Sequence, residues 1–169
     1  MLKDILISLV QFILLFFFQV LVLDNISLWG MVNPMVYVWF IILLPYNTPR
    51  WLTLTSSFLL GICVDIFSSQ MGINAFACTL VAFIRPLLLN AFSGNIENTF
   101  QRPSASRLGF VNFLFYVIIL VAIHHLTYFL LGTFALNEII SVLFRTLISL
   151  AATVIIIILC DAVFFHKQE

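Results

Sequence analysis

From Ile5 to Leu23 the chain carries no ionisable side chain, and only Ser8, Gln11 and Gln19 interrupt the apolar run. A helix needs about 20 apolar residues to cross roughly 30 Å of hydrocarbon, so this one segment already has the dimensions of a membrane span. The same thinness of charge holds throughout. Charged residues make up 8% of the chain and hydrophobic ones 63%, whereas a soluble domain carries about 25% charged residues. Seven basic and seven acidic residues leave a formal net charge of zero. A water-soluble globule is excluded by the missing surface charge, and a basic nucleic-acid binder by the lack of a Lys/Arg-rich face.

Lys3 ahead of an apolar stretch could suggest a secretory signal. The run is too long for a typical signal core, however, and no small-x-small cleavage site follows; the first alanine in the chain is Ala75. It is read as a retained first span. Cys63, Cys78 and Cys160 all lie inside apolar runs, without the CxxC spacing of a zinc site or an even number for a disulfide frame, and are read as small apolar residues.

Residues 1–169 read as a single integral membrane domain, an all-α bundle of six transmembrane helices at about 5–23, 35–44, 50–67, 73–91, 108–131 and 138–165. Asn33-Pro34 and Thr48-Pro49 are start signals for the second and third helices, and Pro45 and Pro49 close the second. That second helix is short, so it is thinly covered by lipid or tucked among its neighbours. The polar stretch from Phe92 to Arg107 is the longest loop. Six crossings put both termini on one side. Lys3, Arg50, Arg102, Arg107 and Lys167 all fall at the termini or in the second and fourth loops, while the other loops hold only Asp24 and Glu138. By the positive-inside rule both termini are expected to be cytoplasmic.

Asp65, Arg85, His124, His125, Arg145 and Asp161 are left inside helices, where ionisable groups are costly and usually face protein or water. Counting about 1.5 Å per residue, Asp65, the two histidines and Arg145 share a level in the outer half. Ser57, Gly61 and Asp65 are four apart, as are Ser141, Arg145, Ser149 and Thr153. Stripes of small residues let helices approach closely in lipid, so the two are expected to face one another, with Asp65 paired to Arg145. Adjacent residues on a helix point about 100° apart, so His124 and His125 do not form a two-His metal site; one is expected to join the polar cluster while the other packs against lipid or a neighbour. Arg85 is expected to snorkel to the cytoplasmic interface, and Asp161 to reach the headgroups near Lys167. No HExxH, GxSxG or phosphate-binding glycine loop is present, so no enzyme, cofactor or metal is expected.

The stretch Gly61-Ile-Cys-Val-Asp65-Ile-Phe-Ser68-Ser-Gln-Met-Gly72-Ile-Asn-Ala75 resembles the G-x-x-x-D-x-x-S…G-x-x-A pattern of the MreD family of rod-shape-determining membrane proteins. Asn33-Pro34, Pro45 with Thr48-Pro49-Arg50-Trp51, Arg85-Pro86, Arg102-Pro103 and His124-His125 extend the resemblance to Bacteroidetes-type members. The resemblance implies a fold similar to the S-components of energy-coupling-factor transporters. It also implies a non-enzymatic scaffold of the cell-wall elongation machinery, with MreC as partner and MreB, RodA and an elongation penicillin-binding protein further out. Carried over, Gly61, Asp65, Ser68 and Gly72 are the family positions, and their expected role is to shape the third helix and the turn after it. Arg145 and His124 join them as candidates for sensing a partner. The rival reading is a small-solute-binding component of an energy-coupling-factor-type transporter. The first helix is Leu/Phe-rich and lacks the Ala-x-x-x-Ala surface such components typically use for docking, which weakens that reading.

Overall fold

A computed structural model of the chain describes residues 2–25, 33–93, 102–133 and 139–165. Among these residues every regular element is helical: α1 (Leu2–Phe18, continued by a π-helical turn at Gln19–Leu23), α2 (Val38–Leu43), α3 (Arg50–Phe67), α4 (Ile73–Ser93), α5 (Ala105–Leu108), α6 (Phe110–Thr133) and α7 (Ile139–Phe165). Five stretches are long and apolar enough to cross a membrane: Ile5–Leu23, Arg50–Phe67, Ile73–Ser93, Phe110–Thr133 and Ile139–Val163. The loop at 26–32, Glu97, Glu138, Lys167 and the side chain of Lys3 lie outside the described residues.

The expected second span is where the structure departs most from the sequence reading. Only Val38–Leu43 is α-helical there, and six residues rise roughly 9 Å, far short of a span. All six are buried. A helix that is apolar on every side has no solvated face to offer, so it sits in the middle of the protein. The segment before it, 33–37, is not α-helix, and the turn 45–49 follows it. The chain from 33 to 44 therefore runs lengthwise through the bundle interior, from the level of Ser149 on α7 to the level of Arg85 on α4, as its hydrogen bonds record.

The long helices surround this central segment. α3 and α4 form a tight antiparallel hairpin; α6 packs against α4 and α7. A left-handed Gly109 (φ 78°) separates α5 from α6, so the expected 108–131 helix starts two residues later. α1 is attached most loosely. Of its Ile5–Leu23 span only Gln19 is buried.

Candidate functional site

The α3–α4 hairpin brings Gly61, Asp65, Ser68 and Gly72 together, and each has its own physical task. Gly61 lies where the two helices cross: a Cβ there would stand 2.4 Å from the Cα of Ala75 and 2.6 Å from the Asn74 carbonyl oxygen. Those are backbone atoms that cannot swing aside, so only glycine permits the approach. One turn further along, Asp65 is 4% exposed. Its carboxylate accepts hydrogen bonds from the Asn74 and Ala75 backbone N–H groups at 3.0 and 2.9 Å and from the Asn74 side-chain amide at 3.0 Å. These are the N–H groups that a helix N-terminus leaves without partners. The residue just before α4 is Gly72, which has no side chain to offer them. Asp65 thus caps α4 from α3, supplying both acceptor oxygens and a negative charge at the positive end of the helix dipole. Gly72 itself has φ +79°, a backbone conformation glycine adopts without penalty. Ser68 ends α3 and donates from its hydroxyl to Asp24 at 2.7 Å, tying the hairpin tip to the end of α1.

The interior polar side chains converge on the 33–37 segment. Non-helical backbone at membrane depth is tolerated where protein groups satisfy it, and here they come from three directions. The Asn33 N–H donates to Ser149 Oγ at 3.1 Å and the Met35 N–H to Thr153 Oγ1 at 3.1 Å, both on α7. From α1, Gln19 uses its whole amide: the oxygen accepts from the Val36 N–H at 3.0 Å, and the nitrogen donates to the Pro34 carbonyl at 3.2 Å and to Asp24 at 2.8 Å. The π-helical turn begins at this same Gln19, whose carbonyl receives the Asp24 N–H at 2.9 Å.

Both histidines belong to this network. The Tyr37 hydroxyl donates to Asn74 Oδ1 at 2.7 Å and lies 3.1 Å from His124 Nε2. With that proton used on Asn74, Nε2 is the donor in the second contact, and the neutral tautomer leaves Nδ1 bare; Nδ1 has no hydrogen-bond partner. His125 donates from Nδ1 to the Val121 carbonyl at 2.9 Å, and its Nε2 lies 3.2 Å from Thr153 Oγ1. Neither ring packs against lipid: both are buried against neighbouring segments, which is one of the two arrangements expected for the second histidine. His125 braces Thr153, and His124 braces Tyr37.

The C-terminal end of α2 is satisfied in the same manner. Arg85 donates to the carbonyl of Leu44, and the Tyr116 hydroxyl donates to the Ile42 carbonyl at 3.4 Å. Arg85 is 2% exposed, so it does not snorkel; a terminal carbonyl inside the protein holds it there. Asp161 turns inward as well, accepting from the Ala105 N–H at 3.1 Å and capping α5 rather than reaching toward headgroups.

The expected Asp65–Arg145 pair does not form. Asp65 is occupied by α4, and Arg145 lies on the exposed face of α7 with Ser141. The physical reason is helical drift. Each four-residue step turns a helix by about 40°, so three steps from Thr153 carry residue 141 about 120° around the axis. Ser149 and Thr153 point inward, while the buried face above them continues through Thr146 and Val142. Of the candidates read from the sequence, Gly61, Asp65, Ser68, Gly72 and His124 come together and Arg145 does not. Gln19, Tyr37 and Asn74 were missed. Gln19 left a trace, as a polar amide in the middle of an otherwise apolar run.

Between the ends of α1 and α3 lies a polar cavity of about 320 Å³, bordered by Gln19, Asp24, Asn33, Tyr37, Asn74 and Tyr128. Among the described residues no group of three or more His, Cys, Asp or Glu could hold a metal ion. Compared with protein-family models, curated proteins and solved structures, the chain matches none.

Proposed function

We propose that this chain is a non-enzymatic, six-crossing scaffold of the MreD type. In this reading it resides in the bacterial inner membrane with both termini cytoplasmic and contacts MreC within the peptidoglycan elongation complex. The observation that carries the reading is the convergence of Gly61, Asp65, Ser68 and Gly72 on one junction, where they close the helix crossing, cap α4, tie the tip to α1 and turn the backbone. The residues on which the resemblance rests are thus one working unit. The short central segment counts as the second crossing in this topology. It descends as α1 ascends, and α3 ascends again after the 45–49 turn, which keeps Arg50 and Arg102 at one end. The interior polar groups serve the chain's own backbone, which fits a rigid body presented to partners.

A specific observation favours a second reading. The polar cavity beside Asp24 and Tyr37 has the size and lining of a small-solute site, as an S-component of an energy-coupling-factor-type transporter would require. One experiment separates the two. A tagged chain is recovered from native membranes with its bound proteins. The scaffold reading expects a periplasmic coiled-coil protein and wall-synthesis enzymes; energising ATPases without any wall-synthesis protein would establish the transporter reading.

A further inference from the structure

The polar cavity between the ends of α1 and α3 has a sign. Asp24 is the one charged residue on its border, and no Lys, Arg or His lines it. The Asp24 carboxylate accepts from Gln19 Nε2 at 2.8 Å and from Ser68 Oγ at 2.7 Å. Both donors are neutral, and a carboxylate offers about four lone-pair sites, so these bonds use about half of them and leave the charge unbalanced. Asp24 has no ion-pair partner among the described residues. Asp65 stands directly behind, bonded to Asn74, which borders the cavity. The N-terminus of α4 offsets only about half an elementary charge of that second carboxylate. The cavity therefore borders more than one negative charge and no cationic side chain.

Its hydrogen-bonding groups have the same bias. Gln19 spends both amide hydrogens inside the protein, on Asp24 and the Pro34 carbonyl, and Asn25 spends both of its own on the Val20 and Leu21 carbonyls. What Asn25 has left is its side-chain oxygen, an acceptor. The Tyr37 hydroxyl donates to Asn74, and Tyr128 makes a ring contact with Phe129 but no hydrogen bond among the described residues. A ligand is thus offered a carboxylate, further acceptors and the side chains of Tyr37, Phe67 and Tyr128. Aromatic faces attract cations electrostatically. A bare metal ion is poorly matched, since calcium takes about six to eight closely spaced oxygens. The volume of about 320 Å³ is instead that of a small-molecule pocket. Charge, acceptors, rings and size together select an organic cation.

We propose that this cavity binds a small organic ammonium group, from a free solute or an aminophospholipid headgroup, with Asp24 as its counter-ion. The inference rests on the second reading only in taking the cavity for a solute site. It is tested on the purified chain, so its outcome is independent of which proteins the tagged chain recovers. The full-length protein is placed in phosphatidylglycerol nanodiscs, which carry no amine, and binding of labelled choline is measured by equilibrium dialysis against empty nanodiscs. Saturable binding is expected, with ethanolamine competing and dimethylbutanol, which is choline with carbon in place of nitrogen, failing to compete. Asp24→Asn, which keeps an acceptor for Gln19, should weaken choline about tenfold or more, the loss expected when a contact to a charged group is removed. Tyr128→Leu should weaken it severalfold without changing the charge. Arg145→Gln, a charge change at a residue that does not line the cavity, should leave it unaltered. Adding phosphatidylethanolamine to the discs separates the sources: loss of choline binding identifies the lipid headgroup as the occupant, and unchanged binding a free solute. Absence of saturable binding overturns the proposal, as does equal competition by the uncharged analogue. So does binding that survives Asp24→Asn or, should that variant not fold, Tyr128→Leu.

Discussion

The side-chain oxygen of Gln19 accepts the backbone N–H of Val36 at 3.0 Å, and this contact joins the most exposed helix of the protein to its most buried segment. The same amide also holds the Pro34 carbonyl. α1 is therefore attached through a backbone that would otherwise lack partners.

Replacing Gln19 by leucine leaves the Val36 N–H and the Pro34 carbonyl unpaired in a dry environment. A buried orphan group costs about 1–3 kcal/mol, so Gln19→Leu should lower stability by about 2–5 kcal/mol although it raises hydrophobicity. Unfolding in a detergent titration measures this. Leu14→Ala, on the exposed side of α1, should change stability by less than about 0.5 kcal/mol.

Asp65 is predicted to act as a cap for α4 and not as an ion-pair partner. Asp65→Ala should cost about 3 kcal/mol or more, since it removes charge-assisted bonds to two backbone N–H groups. Asp65→Asn, which keeps one acceptor oxygen, should cost less. Arg145→Asp should be tolerated on its own, and adding it to Asp65→Arg should rescue nothing. Recovery of folded protein in the double charge swap would restore the pairing hypothesis.

The two glycines of the hairpin should respond differently. In Gly61→Ala the new methyl meets the backbone of Ala75, and overpacking of a well-packed contact costs about 1–3 kcal/mol. In Gly72→Ala the space is open and the cost is the left-handed backbone alone, about 1 kcal/mol. Thermal aggregation midpoints of the purified variants should rank unmodified protein, Gly72→Ala and Gly61→Ala in falling order.

Labelling of single cysteines in an otherwise cysteine-free chain tests the crossing made by α3, which the six-crossing topology requires. Asn47→Cys in the turn after α2 and Met71→Cys in the turn after α3, where Met71 is 98% exposed, should react with an impermeant thiol reagent from opposite sides of the membrane. Arg85→Cys should stay unreactive from both sides, as its buried position demands. Labelling of positions 47 and 71 from one side would rule out the six-crossing topology.

Much of the architecture is written locally. The apolar runs at 5–23, 50–67 and 73–91 read as helices because length and apolarity suffice for that inference, and each coincides with an observed helix to within a few residues. The small-residue stripe of Ser57, Gly61 and Asp65 was legible and is buried, but it closes on α4 and not on the α7 stripe it was expected to face. The three misassigned charges share one cause. Arg85, Asp161 and Asp65 were assigned to headgroups or to an opposite charge, because in a sequence a buried charge suggests either escape or pairing. Each of them instead satisfies backbone groups of another segment. Backbone N–H and C=O groups are the same at every residue, so no sequence pattern announces which of them will lack a partner.

By itself, the sequence determined that this chain lies in a membrane, where its long helices run, and that a few polar residues had to be accounted for inside. Only the tertiary structure decided what those residues do. The 33–44 segment is helical only over Val38–Leu43, and its ends expose backbone inside the bundle. Gln19, His125 with Thr153, Ser149 and Arg85 stand where that exposed backbone needs them, or brace the group that does.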